Sequence, residues 1–141
     1  AITLRADFAG NATHLASTAG TAHQVDRAAT ATSASAPFPP AAPTAPPRQF
    51  AVLRFPVGVL AQAPGSGAPT GTISEQVSAG VESCVVNLPA TECDLVPQTA
   101  GLRTYQIDYS GDSRFLPSTT TIEVTVLPDR VYQDGFDLDE I

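Results

Sequence analysis

The clearest hydrophobic period in the chain is two. Tyr105, Ile107 and Tyr109 alternate with Thr104, Gln106 and Asp108, and Ile122, Val124 and Val126 alternate with Thr121, Glu123 and Thr125. Successive strand residues point to opposite faces, so this spacing predicts two half-buried strands. The Ser110-Gly111-Asp112 turn between them predicts that they close an antiparallel sheet. Upstream, Ala51, Leu53, Phe55, Val57 and Val59 share one phase within residues 50–59. Pro56 has no N–H for a ladder and predicts an edge position, a bulge or a strand end there. Residues 63–69 read as a loop by their Gly, Pro and Ser content, and residues 71–77 as a short strand. Residues 81–88 and 92–96 are predicted to form a hairpin around Leu88-Pro89-Ala90. No segment shows sustained 3.6-residue periodicity with helix caps, so the expectation is an all-β fold.

Residues 28–47 are nearly all Ala, Pro, Thr and Ser, with six prolines in twenty positions. One reading is a flexible extended linker. The other, favoured here, makes residues 28–33 an irregular first strand, with the Pro-rich part running along a sandwich edge.

A repeat organises the whole chain. Asp7-Phe8-Ala9-Gly10-Asn11 matches Asp108-Tyr109-Ser110-Gly111-Asp112 at an offset of 101, and Leu15-Ala16-Ser17-Thr18 then falls on Leu116-Pro117-Ser118-Thr119. Thr3 falls on Thr104 and Val25 on Val126, giving seven identities in 25 positions around one aromatic-small-Gly-Asp/Asn turn. The offset equals the usual size of a β-sandwich domain. Residues 1–25 are therefore expected to be the last two strands of a preceding copy, with an uncovered apolar face that includes Leu4 and Phe8. Such a segment would be poorly ordered or would pack as an added hairpin. Residues 26–127 are expected to be one complete Greek-key sandwich of about seven antiparallel strands, and 128–141 an acidic tail.

Composition narrows the partners. In 141 residues the formal net charge is −7, and all seven basic residues are Arg. An acidic chain without basic clusters repels phosphate backbones and anionic membrane surfaces, which excludes nucleic-acid binding as an expectation. No apolar run is long enough for a transmembrane helix, so no membrane insertion is expected. Residues 1–25 lack the charged and apolar regions of a signal peptide, so any export signal is expected upstream of Ala1.

Cys84 and Cys93 are the only cysteines. Their spacing supplies two ligands with no nearby His, which is not a zinc motif. With a four-residue loop at 87–90, Cys84 would sit directly opposite Cys93, close enough for a bridge. A structural disulfide between them is the expectation and implies an oxidising compartment; two buried free thiols are the alternative.

With these residues in view, the chain resembles the bacterial immunoglobulin-like repeat domains of long secreted and surface proteins. The resemblance rests on Gly67-Ala68-Pro69-Thr70-Gly71-Thr72-Ile73, on Ser83-Cys84 to Glu92-Cys93-Asp94-Leu95, and on Thr99-Ala100-Gly101 leading into Tyr109-Ser110-Gly111-Asp112-Ser113-Arg114-Phe115. It covers about residues 26–127, plus the end of a second copy. It implies a non-catalytic spacer module at the cell surface or outside the cell, whose partners are neighbouring repeats in the same chain. Adhesion to a host protein or glycan, or an accessory role beside a secreted hydrolase, are the alternatives. Two departures stand out: the Pro-rich 37–47 segment, and His14 in place of the aromatic at Phe115. The ending Val131-Tyr132-Gln133-Asp134-Gly135-Phe136-Asp137 also resembles short tails that close some exported Gram-negative proteins.

No catalytic residue, cofactor or metal is expected. His14 and His23 lie in the partial copy, and no Gly-x-Ser-x-Gly elbow accompanies them. The acids Asp129, Asp134, Asp137, Asp139 and Glu140 do not follow a calcium-loop pattern, because Gly135 directly follows Asp134. They read as a solvated tail. Asp112 reads as the cap of a tight turn rather than a calcium ligand. Asn11-Ala12-Thr13 is a formal glycosylation sequon without meaning in a bacterial chain. Sugar-stacking aromatics outside the core reduce to Tyr132.

Overall fold

A computed structural model describes residues 2–129. Within them lie nine strands and no helix: β1 Ile2–Phe8, β2 Ser17–His23, β3 Thr30–Ala34, β4 Leu53–Ala61, β5 Thr72–Val77, β6 Ser83–Asn87, β7 Glu92–Leu95, β8 Gly101–Tyr109 and β9 Ser118–Val126. β3, β4 and β7 form one sheet in that order, and β6, β5, β8 and β9 form a second. The pairings are antiparallel throughout. These seven strands form the two layers of an all-β, antiparallel sandwich, and β1 and β2 pair only with each other among the strands.

Alternation explains the core. Leu53, Phe55, Val57 and Val59 of β4 face Ile73 and Val77 of β5, Tyr105, Ile107 and Tyr109 of β8, and Val124 and Val126 of β9 in one buried cluster. Fully burying such a side chain contributes about 1.5–3 kcal/mol, so this one layer drives the two sheets together. Phe55 and Tyr105 meet across the layer, with ring centroids 4.7 Å apart at 52°. Pro56 stands inside β4, opposite Glu92 of β7, near the end of that ladder where a missing N–H is tolerated.

The Pro-rich stretch runs along the sandwich. β3 begins within it, pairing with β4 from Thr30↔Ala61 to Ala34↔Val57. Phe38 and Arg54 then exchange both backbone hydrogen bonds, at 3.1 and 2.8 Å. Gln49 N–H donates to the Leu127 carbonyl, and Leu127 N–H to the Pro47 carbonyl. Donors come from the non-proline residues, since proline has none to give.

One expected element is corrected. Residues 81–88 and 92–96 do not form a hairpin. β6 pairs with β5, from Thr72↔Asn87 to Gln76↔Ser83, and β7 pairs with β4 in the opposite sheet. The Leu88-Pro89-Ala90 connection therefore carries the chain from one layer to the other. Cys84 and Cys93 still form a disulfide, with Cα atoms 6.2 Å apart. It links the two sheets rather than two neighbouring strands.

Candidate functional site

The hairpin β1–β2 reproduces β8–β9 in detail. Adding 101 to each β1–β2 pair gives a β8–β9 pair, from Ile2↔His23 on Arg103↔Val124 to Phe8↔Ser17 on Tyr109↔Ser118. The turns agree as well. Gly10 and Gly111 take positive φ, 82° and 73°, at equivalent places. A Cβ there would approach the backbone nitrogen of Ala16 at 2.7 Å and of Pro117 at 2.9 Å, respectively, so both strain and crowding select glycine. Asn11 Oδ1 accepts from the N–H groups of Thr13 and His14 at 2.9 and 2.8 Å, and Asp112 Oδ1 from those of Arg114 and Phe115 at 2.7 and 2.9 Å. The Thr18 hydroxyl donates to Asp7 and the Ala6 carbonyl, as Thr119 does to Asp108 and the Ile107 carbonyl.

The two hairpins differ in what covers them. Tyr105, Ile107 and Tyr109 are at most 2% exposed, whereas the equivalent Leu4 and Phe8 are 54% and 47% exposed. Every residue of β1 and β2 is exposed. Strands β1 and β2 form a regular, fully registered ribbon with an open apolar face. A two-stranded ribbon is marginal by itself in water, so that open face calls for a cover.

Asp112 ties the second turn down. Besides its Oδ1 contacts, Oδ2 accepts from the Thr70 N–H at 2.8 Å and the Thr70 hydroxyl at 2.7 Å. The Thr70 hydroxyl, followed by the backbone N–H groups, holds this carboxyl far below the usual carboxylate range. The Tyr109 hydroxyl donates to the Thr70 carbonyl at 2.6 Å. Both carboxylate oxygens are thus engaged by protein donors, the arrangement of a capped turn. Asn11 Oδ1 also accepts from the Thr13 hydroxyl at 3.1 Å, so both polar residues of the sequon serve the first turn.

The chemically unusual groups lie elsewhere. Glu75 falls in the inward phase of β5, between Ile73 and Val77, and is 0% exposed. It pairs with Cys84 on one side and Ile107 on the other. Its Oε2 lies 4.0 Å from Cys84 Sγ, and Oε1 has no hydrogen-bond partner. Burial pushes its pKa up to about 8, so the carboxyl is largely neutral at pH 7. The buried Tyr105 hydroxyl is also unpartnered. Near the rim, Glu82 accepts from the N–H groups of Gln98 and Val81 and faces Arg103 at 3.7 Å. Burial opposes its ionisation, but those donors and the guanidinium outweigh it and hold its pKa below the ordinary value.

The period of two already placed position 75 inside; its acidic chemistry argued for the surface, and it was missed. Glu82 and Arg103 carry no signal in sequence, being far apart along the chain. His14 sits in the first turn, against Thr13 and Asn11, while His23 ends β2 opposite Ile2. A seven-residue strand separates them by about 20 Å, so they do not form a pair. Tyr132, Asp134, Asp137, Asp139 and Glu140 lie outside the described residues. Among the described residues no helix is long and apolar enough to cross a membrane. No protein-family profile, curated protein or solved structure gives a significant match to this chain.

Proposed function

We propose that the chain is a non-catalytic spacer module from an extracytoplasmic array of immunoglobulin-like sandwiches, and that β1–β2 is the closing hairpin of the module before it. The carrying observation is the residue-by-residue match of β1–β2 to β8–β9, together with the uncovered face at Leu4 and Phe8. A sheet like β3–β4–β7 is what covers that face in the complete copy. The paths of entry and exit suit a linear array. Ala28 bridges Phe115 just before β9, and Leu127 follows β9 beside Pro47 and Gln49. The chain thus enters and leaves at opposite ends of a nine-residue strand, about 30 Å apart. The Cys84–Cys93 disulfide supports an oxidising compartment, either cell surface or exterior.

Small-angle scattering on the chain lengthened by its natural preceding residues tests this reading. An elongated two-lobed particle is expected, with a cysteine placed at Leu4 protected from alkylation. A compact single lobe, or labelling as fast as in the 141-residue chain, refutes it. An adhesive variant of the reading rests on the open apolar groove of about 520 Å³ lined by Val59, Leu60, Pro69, Leu88 and Pro89. A glycan array without binding above background removes its sugar form.

A further inference from the structure

Glu75 breaks the rule that organises the rest of the core. It is a fully buried carboxyl with one oxygen unpartnered among the described residues, and it faces the only sulfur atoms in the protein. We propose that Glu75, Cys84 and Cys93 form a redox-gated site for zinc: closed while the cysteines are bridged, and open once a dithiol reductant has cleaved the bridge.

The geometry requires little movement. One carboxylate oxygen and the two Sγ atoms all lie within 4.8 Å of one another. Zinc takes thiolate at about 2.3 Å and carboxylate at about 2.0–2.2 Å, which in a tetrahedron puts ligand atoms about 3.5 Å apart. Side-chain rotation covers the difference. The three ligands come from β5, β6 and β7, so strands of both sheets supply the site. Two thiolates select zinc and similar soft-tolerant cations over magnesium or calcium. Cys93 is 1% exposed, whereas Cys84 is half-buried and opens the way in for the ion and for a water in the fourth position.

The chemistry balances. The dithiol transfers two electrons and two protons to the bridge, becoming a disulfide itself and leaving Cys84 and Cys93 as thiols. Zinc then displaces the two thiol protons and the Glu75 carboxyl proton, and three protons pass to solvent. In the bridged form the sulfurs have no charge to give, so the buried carboxyl alone does not hold the ion. Binding is therefore set by the redox state of the compartment. This inference is independent of the spacer reading, since it concerns one sandwich only.

Cobalt(II) serves as the spectroscopic probe on the whole 141-residue chain. The reduced protein is expected to bind one equivalent, with near-ultraviolet thiolate-to-cobalt charge transfer and the intense visible bands of a tetrahedral site. The oxidised protein is expected to show neither. Loss of groups that merely orient a ligand already weakens metal binding about 10–100-fold, so Glu75→Gln is expected to weaken the reduced site by at least about tenfold. Melting with and without zinc gives a second reading that holds even where reduction loosens the fold. Zinc is expected to raise the Tm of the reduced wild type and to raise that of Glu75→Gln much less. Absence of thiolate bands and of zinc stabilisation in the reduced wild type overturns the proposal. Equal affinity in Glu75→Gln also overturns it, by reducing the site to an ordinary dithiol chelate.

Discussion

Replacing Glu75 by Gln in the disulfide-bonded protein should abolish one specific slope in its stability. Gln keeps the shape of a protonated Glu but cannot ionise. In the folded chain burial raises the Glu75 pKa from 4.5 to about 8. The folded state therefore retains a proton that the unfolded chain releases between those values. Stability from the neutral carboxyl is fully present below about pH 4.5, declines as pH rises through about 8, and then levels off. Each pKa unit is worth about 1.36 kcal/mol, so the full shift amounts to roughly 3–5 kcal/mol as an upper estimate. Tyr105, whose hydroxyl is itself pushed up by burial, and the Glu82–Arg103 pair lie near enough to act on the same region, and all are present in both proteins. Urea unfolding of both, at steps from pH 4.5 to 9, isolates the Glu75 contribution as their difference. The two should agree within about 1 kcal/mol at pH 4.5, with the variant ahead by up to roughly 3–5 kcal/mol at pH 8.5. A difference that stays constant with pH, or a wild type that gains on the variant as pH rises, would refute the assignment.

Four further outcomes are expected. Gly111→Ala should lower the urea midpoint by an amount equivalent to about 1–3 kcal/mol, because it forces a side chain into positive φ against Pro117. Gly10→Ala, equally strained locally, should leave the sandwich transition unmoved, since its hairpin contributes nothing to that core; equal effects would contradict this. Asp112→Ala should detach Thr70 from the turn and remove an acid-labile contribution. Because the folded pKa is depressed, that contribution is present above the ordinary carboxylate pKa and lost as pH falls through the folded value. Circular dichroism melts from pH 6 down to 2 should therefore converge for variant and wild type in acid, and parallel curves would count against it. Cys84→Ser with Cys93→Ser should cost about 2–3 kcal/mol by the chain-entropy argument for so short a ring, read by urea unfolding. No loss at all would place the stabilisation elsewhere.

Most of the sandwich was legible because its strands obey one rule. Tyr105, Ile107 and Tyr109, and Ile122 to Val126, alternate without interruption, and their burial follows that alternation. The repeat was legible for a different reason. A turn that needs glycine at positive φ followed by an Asn or Asp cap leaves its mark in residue identity, as Gly10-Asn11 and Gly111-Asp112 do. What failed was the choice of partner for β6 and β7. Two short strands four residues apart fit a hairpin locally, and nothing in 83–95 records that β5 and β4 compete for them from opposite layers. Glu75 was hidden by a conflict between pattern and chemistry: its position in β5 required burial, and its charge argued against it. Glu82 and Arg103 meet only because the fold brings the loop before β6 to β8.

The bridge between Cys84 and Cys93 also decides how this module responds to tension along its backbone. A pull on the two ends loads β3 and β9 first, and unravelling then pays out chain from both layers. The segment inside the covalent ring cannot lengthen. Nine steps of backbone at about 3.5 Å each, less the span of the link, withhold about 25 Å of contour from each stretched module. A reducing environment returns that length. Force-extension traces of the same protein would thus show longer steps after reduction, making the cross-link a stop on how far the unfolded module can extend.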